Sequence, residues 1–123
     1  MEIITTDKAS APLGHYVQAI KSNDFIFVSG QLPALPEGGF ESGDIKDQTR
    51  LALEGLKAIL EEAGSSLEKV VKVTIFISDI ALWAEANEAY AIFFGSHKPA
   101  RSAVPVKDLP RGVNIEIEAV AEA

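Results

Sequence analysis

Val70-Val71-Lys72-Val73-Thr74-Ile75-Phe76-Ile77-Ser78 is the stretch that decides the fold. Six of its nine residues are β-branched, a composition that suits the pleated surface of a strand. Strict alternation places Val71, Val73, Ile75 and Ile77 on one side and Val70 and Phe76 on the other. A strand apolar on both sides needs cover on both.

Upstream the period changes. Ala52, Leu56, Ile59, Leu60 and Ala63 recur at helical spacing, with Asp47, Arg50, Glu54, Lys57 and Glu61 on the wet side. Asp44 is the expected N-cap and Gly64 the residue just past the C-terminus. Nearer the start, Tyr16–Ile20, the polar turn Lys21-Ser22-Asn23-Asp24 and Phe25–Ser29 read as a hairpin, in which Phe25 and Phe27 oppose Ile26 and Val28. The Gly- and Pro-rich segment 30–43 reads as a loop with room for one short strand.

Downstream, Asp79 can cap a second helix running to about Phe94, stopped by Gly95 and Pro99. Strands over Ala100–Val106 and Val113–Ala121 follow, joined by a turn at Asp108-Leu109-Pro110-Arg111-Gly112. The order β-β-α-β-α-β-β predicts one α+β domain over 1–123: a single antiparallel or mixed sheet with two helices packed on one face. Two helices cover only one face, so a second copy of the chain is expected on the other.

Composition removes most function classes. The chain has 123 residues, no cysteine and a net charge of −7, with only Arg50, Arg101 and Arg111 as arginines. Disulfide and thiolate chemistry are excluded. An acidic surface without a basic stripe makes nucleic acid a poor partner. No apolar run approaches a membrane span, and MEIITTDKASAP lacks the basic and apolar regions of a secretory signal, so a cytoplasmic location without membrane contact is expected. There is no phosphate-binding glycine loop and no G-x-S-x-G elbow. His15 and His97 lack metal-ligand spacing and are expected to be surface or loop residues.

Arginine, carboxylate, tyrosine and amide groups remain. Arg101 begins a strand among small residues, Pro99-Ala100-Arg101-Ser102-Ala103, where a guanidinium can lie in a recess and grip a carboxylate. A solvated arginine paired to an acid is the alternative. In the last strand Val113, Ile115, Ile117, Ala119 and Ala121 share one face, and Asn114, Glu116, Glu118 and Val120 the other. Glu116 and Glu118 then sit about 7 Å apart. In a subunit interface one of them would gain a raised pKa suited to proton transfer; on a solvated face both would be ordinary acids.

Several segments together resemble the RidA (YjgF-type) family of reactive-intermediate deaminases, from the first strand to the last. They are Gly14-His15-Tyr16-Val17-Gln18-Ala19, Val28-Ser29-Gly30-Gln31-Leu32-Pro33, the helix from Gln48-Thr49-Arg50 to Ala63-Gly64, and Val73-Thr74-Ile75-Phe76. They continue with Asn87-Glu88-Ala89-Tyr90, Pro99-Ala100-Arg101-Ser102-Ala103-Val104 and Ile115-Glu116-Ile117-Glu118-Ala119. The resemblance implies a chorismate-mutase-like fold, a homotrimer with three interfacial clefts and no cofactor. The activity it implies is hydrolysis of enamines and 2-imino acids, such as 2-iminopropanoate or 2-iminobutanoate, to 2-keto acids and ammonia.

It further implies Arg101 as the carboxylate grip, Glu116 as the water-activating acid and Tyr16 as a catalytic-site hydrogen-bond donor. Ser29, Gly30, Asn87 and Ala103 would bind substrate. His15, Ala103 (cysteine in many relatives) and Pro105 depart from the common pattern, and Pro105 marks an edge or bulge. The rival readings are a non-catalytic module that binds small carboxylates or 2-keto acids, an endoribonuclease and, by fold analogy, a chorismate mutase.

Overall fold

The computed structural model describes residues 1–123. A six-stranded sheet is built from β1 (Glu2–Ile4), β2 (Ala19–Ser22), β3 (Phe25–Gln31), β4 (Val70–Ile77), β5 (Ala100–Pro105) and β6 (Ile115–Glu122). Their spatial order is β1-β2-β3-β6-β4-β5. All neighbours run antiparallel except β4 and β5, which are parallel and joined through a helix. The helices are α1 (Ile45–Glu62) and α2 (Trp83–Phe94), and they pack together against one face.

The expected architecture holds, with four local differences. An N-terminal strand, β1, adds to the expected order; its three residues are too few for a period, and only pairing with β2 defines it. Tyr16 and Val17 lie before β2, because the turn of the first hairpin is confined to Asn23-Asp24 and β2 extends through Ser22. Asn23 takes φ 54°, a left-handed conformation that asparagine tolerates. Asp79 caps a short 3-10 turn, Ile80–Leu82, and α2 starts only after it.

The fourth difference lies in the deciding strand. Val70 pairs with Ala121 and Lys72 with Val120, so β4 carries one extra residue there, a β-bulge. The bulge resets the alternation. Val70 is buried with Val73, Ile75 and Ile77, while Val71 is turned outward and 38% exposed.

The helices seal a core in which Leu53, Leu56, Ile59 and Leu60 of α1 meet Ile26, Ile75, Ile77, Ile115 and Ile117 of the sheet. Asp44 caps α1 through its carboxylate, which accepts from the N–H groups of Lys46 and Asp47. Gly64, with φ 81°, ends the helix as expected. Arg50 stays on the solvent side, paired to Glu54 at 2.9 Å.

Two buried amides fix the segments that carry the site. The Gln18 carboxamide accepts from Thr6 N–H and donates to the Thr6 and Ser10 carbonyls, pinning the N-terminal segment. Gln48 of α1 accepts from Asn114 N–H at 2.8 Å and donates to the Asn114 Oδ1 and the Gly43 carbonyl. This anchors the chain just before β6 and so sets the position of Glu116. No helix is long and apolar enough to cross a membrane.

The other sheet face has no cover within the chain. Ile3, Phe25 and Phe27 are 61%, 41% and 50% exposed, and Ile20, Phe76, Val104 and Val120 join them on that face. β5 is the outermost strand and exposed along its whole length, which accommodates Pro105.

Candidate active site

The candidate residues divide into two groups on opposite faces of the sheet. Side chains paired across neighbouring strands share a face. Glu116 pairs with Phe76, and Phe76 with Val104, so Glu116 belongs to the open face. Arg101 pairs with Val73, whose side chain is fully buried under the helices, and Ala103 pairs with Ile75. Arg101 and Ala103 therefore lie on the helix side, at its outer edge. One copy of the chain does not bring Arg101 and Glu116 together.

On the helix side, the Arg101 Nη1 donates to Asn87 Oδ1 at 2.7 Å. The guanidinium carbon lies over the Trp83 and Tyr90 rings, 4.8 Å from each centroid. Each such contact contributes about 0.5–1 kcal/mol at an exposed position. No carboxylate neutralises this arginine. Ion pairs are confined to Lys46–Glu88 and to Arg50 with Asp47 and Glu54. The alternative of an arginine paired to an acid is thus set aside. A recess of about 360 Å³ opens here between Asn87, Tyr90, Phe94, His97, Lys98 and Arg101. His97 is held in the loop before β5 by a 2.7 Å hydrogen bond between its Nε2 and the Val70 carbonyl.

On the open face, Tyr16, Ser29, Gly30, Glu116, Glu118 and Arg111 line a cleft of about 570 Å³. Tyr16 is half-exposed, and its hydroxyl oxygen accepts from Leu13 N–H at 3.1 Å, which leaves the phenolic hydrogen free. Ser29 donates its hydroxyl to the Val17 carbonyl at 2.7 Å, tying β3 to the Tyr16 segment. Arg111 occupies the turn before β6 at φ 64°, and its guanidinium is not ion-paired.

A second bulge shapes this cleft. The β3–β6 register shifts between Val28 and Gln31, and Gly30 sits at the shift with the Glu116 side chain against it. A β-carbon at Gly30 would stand 2.8 Å from the Glu116 carboxyl carbon and 3.1 Å from its Cγ. The carboxyl is thus laid onto bare backbone. Gly30→Ala is expected to leave the fold intact, since the flexible end of Glu116 can swing away, but to displace that carboxyl by about an ångström. Turnover should fall about 10²-fold while the circular-dichroism spectrum and melting stay near wild type.

Burial holds the Glu116 carboxyl above the ordinary value of 4.5, and the neighbouring negative charge of Glu118 pushes the same way. The folded protein therefore binds this proton more tightly than the unfolded chain. Stability from this group is full below the unfolded value and is lost as pH rises through the folded one. Glu116→Gln should accordingly melt at a higher temperature than wild type at neutral pH. The gap should close in acid, where both side chains are neutral; thermal melts across pH 3–8 measure it.

No three histidine, aspartate or glutamate side chains converge as a metal site would require. Sequence reading passed over Trp83 and Tyr90. Their spacing with Asn87 (i, i+4, i+7 on α2) was a usable signal, but only the packing of α2 beside β5 ties it to Arg101.

Solved proteins share this fold over nearly their full length. The crystal structure of Escherichia coli TdcF with bound serine matches at a TM-score of 0.95 and 42% identity, covering 100% of this chain and 99% of that one. The chain belongs to the RidA (YjgF-type) family: the family model, described as endoribonuclease L-PSP, matches residues 6–123. It is 54% identical to a RutC family protein of Pyrococcus abyssi over 121 residues, 98% of this chain and 95% of that one. It is also 44% identical to the chloroplastic Reactive Intermediate Deaminase A of Arabidopsis thaliana, over 98% of this chain and 65% of that one.

Proposed function

We propose that this protein hydrolyses 2-imino acids to 2-keto acids and ammonia, at clefts formed where the Arg101 edge of one copy meets the Glu116 face of the next. The observation that carries this reading is the separation itself. A pre-positioned guanidinium and a carboxyl of raised pKa stand on opposite sheet faces, next to an uncovered apolar surface. A contact joining one copy's edge to another's face is head-to-tail, and such contacts close into a ring where the rotation between copies permits. Three copies would give the expected homotrimer with three equivalent clefts. The deaminase names of the relatives and the serine bound to TdcF support a small ligand carrying a carboxylate.

The chemistry then needs few groups. Arg101 holds the substrate carboxylate and fixes the face of the protonated C=N bond. Water adds to the iminium carbon while Glu116 accepts its proton. The same carboxyl returns that proton to the amino group of the tetrahedral intermediate. As the C–N bond breaks, the regenerated Glu116 carboxylate takes the hydroxyl proton and passes it to the departing ammonia, leaving a 2-keto acid and ammonium. Tyr16 closes the cleft and donates a hydrogen bond, and backbone groups at Gly30 and Ala103 orient the nitrogen.

An RNA substrate is disfavoured by the net charge of −7 and by two glutamates lining the larger cleft. The test generates 2-iminobutanoate or 2-iminopropanoate with an amino-acid oxidase and traps what remains with semicarbazide. Faster loss of the trapped species, with stoichiometric ammonia, is expected. Unchanged trapping across several imino acids would leave a carboxylate-binding module as the reading.

A further inference from the structure

Arg101 projects from an edge strand with no carboxylate beside it, so something other than charge pairing must hold its guanidinium. Trp83, Asn87 and Tyr90 do this from one face of α2. Asn87 occupies Nη1, and both aromatic rings lie under the cation at 4.8 Å. The Nε and Nη2 donors form the side-on edge that a carboxylate takes in bidentate fashion, and the Tyr90 hydroxyl is the other polar group close to the cation. Taking Arg101 to be the carboxylate grip, as proposed above, we infer that Trp83 and Tyr90 form an aromatic clamp that presents this edge to the substrate, with Trp83 as a positioning residue.

The arrangement fits a positioning role better than simple core packing. Trp83 is only partly buried: it packs against the margin of the core and also carries the arginine on its ring. A free arginine side chain loses much rotamer freedom when it binds a ligand. One already stacked and hydrogen-bonded loses little, so the clamp acts on affinity. It contributes equally to ground state and transition state, because the carboxylate is unchanged by the reaction; its loss therefore appears in KM and not in kcat.

The experiment compares the intact oligomeric wild type with Trp83→Leu and Trp83→Phe. Leucine keeps apolar bulk and helix propensity but has no π face; phenylalanine keeps the face. Imine turnover gives KM and kcat, and calorimetry gives the Kd of 2-oxobutanoate, a 2-keto acid product. Trp83→Leu should raise KM and Kd about fivefold with kcat within about twofold of wild type, and Trp83→Phe should recover most of the loss. Unchanged KM and Kd in Trp83→Leu, or equal defects in both variants, would overturn the clamp.

A second measurement does not depend on any Trp83 variant folding. Trp83 is the only tryptophan, and a carboxylate on Arg101 neutralises the cation stacked on its ring. Its emission should shift as 2-oxobutanoate saturates the wild type, and should not shift in Arg101→Ala. No shift at calorimetric saturation counts against the clamp. A wild type that binds 2-oxobutanoate but hydrolyses no imine defeats the deaminase reading alone; the Kd and emission arms still decide the clamp.

Discussion

Arg101→Ala is expected to lower kcat/KM for 2-imino acids about 10³-fold, a loss of about 4 kcal/mol. The magnitude follows from what the side chain does and where it is. Its guanidinium is already immobilised by Asn87 and two rings, so little of its binding energy is spent on ordering. Alanine removes both donors to the carboxylate together with the positive charge that pairs with it. Lysine at this position should recover only part of the activity, because a point charge cannot reproduce the planar fork or its stacking. Semicarbazide trapping measures all three proteins. Near-wild-type rates in Arg101→Ala would remove Arg101 from the site and the carboxylate grip with it.

Glu116→Gln should reduce kcat about 10²- to 10³-fold without a comparable change in affinity for 2-oxobutanoate. The amide can still orient water but cannot take its proton. The stronger result comes from mixing. Arg101 and Glu116 lie on opposite faces of the sheet, so a cleft shared between copies takes its arginine from one chain and its carboxylate from the next. Co-refolding inactive Arg101→Ala with inactive Glu116→Gln then regenerates clefts with both groups, roughly a quarter of the total under random head-to-tail assembly. Activity should return towards that fraction. If the mixture stays as inactive as its parts, while mass spectrometry shows mixed oligomers, the shared cleft is wrong.

Whatever depends on local period was legible in the chain. The 3.6-residue recurrence from Ala52 to Ala63, bracketed by Asp44 and Gly64, marks α1 and its buried face, and burial is near total at Leu56, Ile59 and Leu60. Alternation in β6 assigns Ile115 and Ile117 inward and Glu116 and Glu118 outward without reference to any other strand. The excess of apolar faces over helices pointed to an uncovered surface. Phe25 and Phe27 display it.

Pairing was not legible. The β4 bulge reverses the alternation at Val70 and Val71, and a bulge is a property of two strands and the ladder between them. Whether Arg101 shares a face with Glu116 depends on the β5–β4–β6 registers, and a one-residue slip in either would invert the answer. The Trp83–Arg101–Tyr90 stack exists because a crossover helix returns β5 parallel to β4, laying α2 beside the sheet's last strand. Residue types and spacing thus determined which elements form and which side each one buries. Tertiary structure alone decided which candidate groups meet: contacts between segments far apart in sequence depend on strand order and register, and neither leaves a local trace.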